Sequence, residues 1–186
     1  MTELKSRLSR EEIAGISLRL AERLFKLPEY DNADTIFTYL SFNQEVRTAP
    51  LIERALKDGK KVAVPRIEQL DENGRKLPLF EQKMDFVYVD ENTVYGMKMG
   101  IREPLNGIIA DCDALVIMPG LAFGRDMNRI GTGGGFYDRY FADHPDREYI
   151  KVALCYDFQV FDTLPSEEHD IRIDILITPE SVQYNP

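Results

Sequence analysis

Residues Ala114–Met118 read ALVIM, five apolar side chains in succession with no alternation. A strand with one face in water alternates apolar and polar residues, so an unbroken run describes a strand covered on both faces. Covering both faces takes helices above and below the sheet, and the rest of the chain supplies them. From Ser9 onward, Ile13, Ile16, Leu20, Leu24 and Leu27 recur at three- and four-residue intervals, which lays one apolar stripe along a helix. Ser9 and Glu12 form a capping box at its start, and Pro28 closes its far end. Thr35–Ser41 (TIFTYLS) and Lys61–Ile67 (KVAVPRI) have strand composition, and Pro50–Asp58 between them predicts a short helix. That strand–helix–strand order favours parallel pairing.

Glu68–Lys76 is polar and carries Asn73-Gly74, a turn that sets off strand-like pieces at Leu77–Phe80 and Met84–Val89, which reads as an antiparallel excursion. Ile150–Ala153 and Ile175–Thr178 supply two further strands, and a helix is expected to begin near Phe136. No repeat, low-complexity tract or linker interrupts the pattern. Residues 1–186 are therefore expected to form one α/β domain with a mixed, mostly parallel sheet.

With 23 basic and 32 acidic residues the formal charge is −9, which argues against a general nucleic-acid or anionic-membrane surface. Any phosphate must be held locally. Cys112 and Cys155 lack metal-ligand spacing and are expected to be reduced. The start, MTELKSRL, lacks the apolar run of a secretory signal, so a cytoplasmic protein is expected.

Arg129-Ile130-Gly131-Thr132-Gly133-Gly134-Gly135-Phe136-Tyr137-Asp138 follows the buried strand and precedes a helix. Four glycines in five positions let the backbone curl so that its N–H groups and the helix N-terminus converge on one point, which suits an anion. A purely structural turn is the alternative. Arg129 adds a permanent cation at the loop mouth, and Asp138 offers a carboxylate for a hydrated Mg²⁺ against phosphates. The spacing is neither a P-loop nor GxGxxG. Downstream, an extended Asp170–Asp174 segment would put both carboxylates on one face, where one could meet Asp138 across a metal; a solvated acidic turn is the alternative. Glu45 lies beyond the first strand, where open α/β sheets place ligands, or is an ordinary loop acid.

Three stretches together, Met118–Phe123, Asn128–Gly131 and Gly133–Arg139, resemble the defining region of the 5-formyltetrahydrofolate cyclo-ligases, also called methenyltetrahydrofolate synthetases. Leu27–Tyr30, Tyr39–Phe42 with Glu45, Gly100–Pro104 and His169-Asp170 fall in the same family order. The resemblance implies a three-layer α/β/α fold related to ribose-5-phosphate isomerase and the CoA transferases. It implies ATP- and Mg²⁺-dependent closure of 5-formyltetrahydrofolate to 5,10-methenyltetrahydrofolate, with release of ADP and phosphate. Carried over, Arg129, Ile130, Gly131, Thr132, Gly133, Gly134, Gly135, Phe136 and Tyr137 would hold ATP, with Arg129 and Tyr137 catalytic. Thr132–Phe136 would also touch the folate, Leu40 and Glu45 would meet its pterin end, and Asp138 and Asp170 would serve Mg²⁺.

Three features depart from the family pattern. Thr132 stands where an aromatic or basic residue is usual; Gly124 and Met127 stand where Asp and Gly are common, with Asp126 a candidate substitute. A longer basic N-terminal helix often contributes a Lys and an Arg to ATP, a role left here to Lys5, Arg7 or Arg10. Partners are therefore expected to be the folate and ATP, with no nucleic acid or membrane, and the protein a monomer. The alternative is a related ATP- or phosphate-binding protein of the same fold with lost or altered folate activity. A sugar-phosphate isomerase on this fold would need a lysine after the glycine loop, and none follows it.

Overall fold

The computed structural model describes Leu4 and residues 7–98, 100–167 and 170–186. Strands β1 (Thr35–Phe37), β2 (Lys61–Glu68), β3 (Lys83–Val89), β6 (Ala114–Met118), β9 (Tyr149–Leu154), β11 (Ile175–Ile177) and β12 (Val182–Tyr184) form one sheet. Its spatial order is β12-β11-β9-β6-β1-β2-β3. The five inner strands are parallel and the two edges antiparallel.

Register divides the inner strands cleanly between two cores. Val62, Ile36 and Leu115 lie side by side, as do Ile117, Val152 and Ile175. Both rows face helices α1 (Arg10–Leu24) and α3 (Ala49–Lys57), which contribute Leu20, Leu24, Leu51 and Ala55. The neighbouring residues Ala63, Phe37, Val116, Met118, Ala153 and Leu176 point the other way, toward Tyr140 and Phe141 of α4 (Phe136–Asp143). Phe37 stacks on Phe86 at 4.3 Å between ring centres, and Tyr140 meets Phe86 edge-on. Every residue of Ala114–Met118 is buried, as its uninterrupted apolar run predicts.

The capping box is present: the Ser9 hydroxyl accepts from Glu12 N at 3.1 Å, and the Glu12 carboxylate accepts from Ser9 N at 2.8 Å. Pro28 closes α1 but also opens a five-residue helix, α2 (Pro28–Asn32), whose first position suits its fixed φ. β1 is shorter than Thr35–Ser41, because the Tyr39 carbonyl is taken by the Thr48 hydroxyl at 2.6 Å instead of by a neighbouring strand. Leu77–Phe80 is not a strand. Pro78 precedes a single 3₁₀ turn, Leu79–Glu81, closed by Glu81 N donating to Pro78 O at 3.0 Å. Two small sheets escape sequence periodicity: the hairpin β4 (Tyr95–Lys98) with β5 (Ile101–Pro104), and β10 (Val160–Phe161), β7 (Ala122–Gly124) and β8 (Arg129–Ile130). Among the described residues no helix is long and apolar enough to cross a membrane.

Strand order reverses at β1, which has β2 on one side and β6 on the other. The segments leaving the carboxyl ends of β1 and β6 diverge, which opens a crevice there.

Residues 124–128 deliver Arg129 to that crevice. Gly124 N donates to Asn128 O and Met127 N to Gly124 O, with Met127 buried in the left-handed conformation at φ 65°. The Asp126 carboxylate accepts from Asn128 N and from Leu164 N. Burial pushes its pKa up, but these bonds outweigh burial and hold it below the usual carboxylate value. A Cβ added to Gly124 would collide with Asp126 Oδ1. Asp126 thus fills the space of a side chain at position 124, so its carboxylate stands in for one there, whereas Met127 carries a left-handed backbone that suits glycine and has no structural explanation. Gly124→Asp alone is expected to cost about 2–3 kcal/mol by urea denaturation, by displacing the Asp126 bonds. Adding Asp126→Gly should recover at least half of that loss; equal losses in the single and double variants would refute the exchange.

Candidate active site

The crevice widens into a cavity of about 1440 Å³. Pockets for one small ligand commonly measure 300–1,000 Å³, so this one has room for two. One wall is the segment after β1, with Tyr39, Leu40, Phe42 and Glu45. Opposite stand Pro119–Leu121 after β6 and the glycine loop with the first turn of α4. The 3₁₀ turn and the β4–β5 hairpin border the mouth through Leu79, Ile101, Arg102 and Glu103.

Gly133 and Gly135 adopt φ 85° and 61°, a region that costs other residues strain. Gly135 is the N-cap of α4 and offers no side-chain cap, so the helix N–H groups at this end lack a side-chain acceptor. Arg139, one turn into α4, braces the loop from behind. Its guanidinium donates to Gly134 O at 2.8 Å and Gln82 O at 3.3 Å, and lies over the Phe136 ring. A Cβ on Gly135 would lie 2.9 Å from Arg139 Nη1, so the loop needs glycine there for both conformation and space.

Arg129, expected at the loop mouth, is only 7% exposed. Its Nη2 pairs with Asp138 Oδ1 at 2.8 Å, joining the two ends of the glycine loop. Asp138 Oδ1 also accepts from Ile171 N at 3.2 Å. Among the described residues, Arg129 Nε and the Tyr137 hydroxyl are the two buried side-chain polar atoms with no hydrogen-bond partner. Both residues line the cavity, and such atoms are costly unless something completes them. Burial raises the Tyr137 pKa, with Arg129 opposing and Glu45 reinforcing the shift, so the phenol remains a proton donor.

Glu45 faces the same cavity from the β1 side. Its Oε2 accepts from Phe42 N at 2.8 Å, and its own N–H donates to Phe42 O at 3.1 Å. Its charge also helps to raise the Tyr39 pKa, after burial, which places the carboxylate among the site's phenols. Leu40 lines the wall beside it, and Thr132 stands exposed at the loop tip.

The acidic segment divides. Asp170 lines the cavity and accepts from Glu167 N at 2.8 Å, whereas Asp174 is committed to Lys151, through its backbone N–H and its ammonium. The structure brings Asp170, not Asp174, to the cavity that Asp138 lines. Among the described residues, no three His, Cys, Asp or Glu side chains cluster as a ready-made metal site. Arg7 is exposed and is not one of the cavity residues, and Arg10 borders a separate 360 Å³ depression with Asn43, Gln44 and Arg47. Lys5 and His169 lie outside the described residues. Arg139 belongs to the Gly133–Arg139 stretch of the motif, but its hold on Gly134 O and Gln82 O has no sequence signal, and Gln82 itself has none.

The family described as 5-formyltetrahydrofolate cyclo-ligase matches residues 1–179. The 5-formyltetrahydrofolate cyclo-ligase of Escherichia coli K12 is 30% identical, with 94% of each chain covered. That of Mus musculus is 29% identical over 96% of this chain and 91% of its own. The solution structure of Aquifex aeolicus 5,10-methenyltetrahydrofolate synthetase superposes with a TM-score of 0.79 at 28% identity, covering 98% of this chain and 88% of the other. Sequence match, fold and the placement of the glycine motif in the cavity agree: the chain belongs to the 5-formyltetrahydrofolate cyclo-ligase family.

Proposed function

We propose that this chain closes 5-formyltetrahydrofolate to 5,10-methenyltetrahydrofolate at the expense of ATP, releasing ADP and phosphate. The observation that carries the reading is the pair of unpartnered buried donors, Arg129 Nε and the Tyr137 hydroxyl, beside an uncapped helix N-terminus in a cavity roomy enough for two substrates.

A formamide oxygen is a poor leaving group. It first takes the γ-phosphoryl group, with ADP departing; N10 then attacks the activated carbon and loses its proton, and phosphate leaves with the former formyl oxygen. Such a sequence needs alignment and charge neutralisation more than a protein nucleophile. In this reading the phosphates lie on the Arg129–Tyr137 segment, where loop N–H groups, Arg129 and the Tyr137 phenol donate to oxygens that gain charge during transfer. Glu45 and Leu40 hold the pterin end, the carboxylate accepting N–H donors, and Thr132–Phe136 flank the join between the substrates.

Asp138 and Asp170 suit a Mg²⁺ ion, because this ion is commonly held by one or two carboxylates together with phosphate oxygens. Both protein bonds to Asp138 fall on Oδ1, and Oδ2 has no partner among the described residues. When bound, the ion neutralises phosphate charge. The reading also has the protein acting as a cytoplasmic monomer.

Incubation with 5-formyltetrahydrofolate, Mg²⁺ and ATP should produce the near-ultraviolet absorbance of the methenyl product, dependent on every component. ATP binding without product would instead support a phosphate-binding relative. Glu45→Gln should raise the folate KM about tenfold while leaving the ATP KM within twofold; equal losses for both would remove the pterin assignment. Asp138→Asn should lower kcat, shift the Mg²⁺ titration to higher concentration and cost about 2–3 kcal/mol of stability by urea denaturation, because buried Arg129 loses its carboxylate. An unchanged Mg²⁺ midpoint would exclude Asp138 as a ligand.

A further inference from the structure

Glu45 sits in a turn closed by its own bonds to Phe42 and by Asn43 at φ 50°, a left-handed conformation that asparagine enters more readily than most residues. Three bonds from distant or buried groups tie this turn to the rest of the fold. The Tyr156 hydroxyl donates to Gln44 O at 3.1 Å, the Tyr39 hydroxyl donates to Val46 O at 3.2 Å, and Ser17 Oγ of α1 accepts from Arg47 N at 2.8 Å. The two phenols thus grip the carbonyls on either side of Glu45.

Tyr156 also opens a short 3₁₀ turn whose last residue, Gln159, is 2% exposed. The Gln159 side chain accepts from Tyr156 N at 3.2 Å and donates to Gly120 O and Leu121 O at 3.1 and 3.0 Å. Gly120 and Leu121 belong to the opposite wall of the cavity, and Leu121 N donates to Ile130 O, next to Arg129. One four-residue turn, buried at its two ends, therefore touches both walls, one through the Tyr156 phenol and the other through the Gln159 amide.

We propose that Tyr156 and Gln159 are positioning residues that set the separation of the two substrate-binding walls, Tyr156 acting through Glu45 and Gln159 through the segment leading into the glycine loop. The inference rests on the folate and ATP reading above. Transfer between two bound substrates is sensitive to errors of about 1 Å in their approach, which gives a rigid strut a kinetic role. Burial, reinforced by Glu45 and opposed by Arg47, pushes the Tyr156 pKa up to about 12, so its phenol stays a donor throughout the neutral range.

Steady-state kinetics of Tyr156→Phe and Gln159→Met test the assignment. Tyr156→Phe should raise the folate KM about fivefold and leave the ATP KM within twofold, a change in keeping with loss of one hydrogen bond. Placed on Glu45→Gln, the same substitution should have less than a twofold further effect, because its action runs through that carboxylate. Gln159→Met should show the opposite split, raising the ATP KM more than the folate KM. Should Gln159→Met fail to fold, the Tyr156 and Glu45 cycle decides alone. Equal changes in both KM values for Tyr156→Phe, or fully multiplicative effects in the double variant, would overturn the proposal while an active parent protein leaves the functional reading intact. A parent protein that forms no methenyl product would overturn both.

Discussion

The site depends on the ion pair between Arg129 and Asp138, which holds the two ends of the glycine loop together at 2.8 Å. A stretch with glycines at 131, 133, 134 and 135 gains most of its freedom from missing side chains, and that freedom opposes any single bound shape. A nearly buried guanidinium paired across the loop restricts it, and Arg139 completes the restriction by holding Gly134 from behind. A buried charge pair of this kind is weak evidence for added stability, since desolvation offsets its attraction. Its value here is geometric: it aims N–H groups and the helix end at the cavity.

The surrounding architecture places that aimed loop opposite a second, differently built wall. The glycine-loop wall presents donors, whereas the wall after β1 presents the Glu45 carboxylate and apolar Leu40. Both are suspended from adjacent parallel strands, so their spacing inherits the fixed spacing of a hydrogen-bonded sheet. Side chains then trim the fit, as Asp126 does by occupying the room that a residue at 124 would need.

A chain with formal charge −9 can serve anionic substrates because the relevant field is local. Arg129 and Arg139 stand in or behind the loop, Asp138 is paired with Arg129, and Asp170 accepts a hydrogen bond from a backbone N–H. Groups within the cavity act over short range and are screened less than the distant surface acids, whose fields salt damps.

Local rules in the sequence determined the elements whose causes are themselves local. The Ser9–Glu12 box and its apolar stripe specify α1, the ALVIM run specifies a strand buried on both faces, and the spacing of glycines before an aromatic residue specifies a loop leading into α4. The family motif likewise identified Glu45, Arg129, Tyr137, Asp138 and Asp170 as one set, and all five line the same cavity. Tertiary structure alone decided matters that hinge on residues far apart in the chain. It separated Asp170 from Asp174 by giving the latter Lys151, it buried Arg129 where a loop position suggested exposure, and it made strands of two or three residues at β7, β8 and β10 that carry too few positions to show a period. Tyr156 illustrates the limit most clearly. Its hydroxyl reaches a carbonyl 112 residues away, and no local pattern records a bond whose partner is chosen by how two distant segments pack.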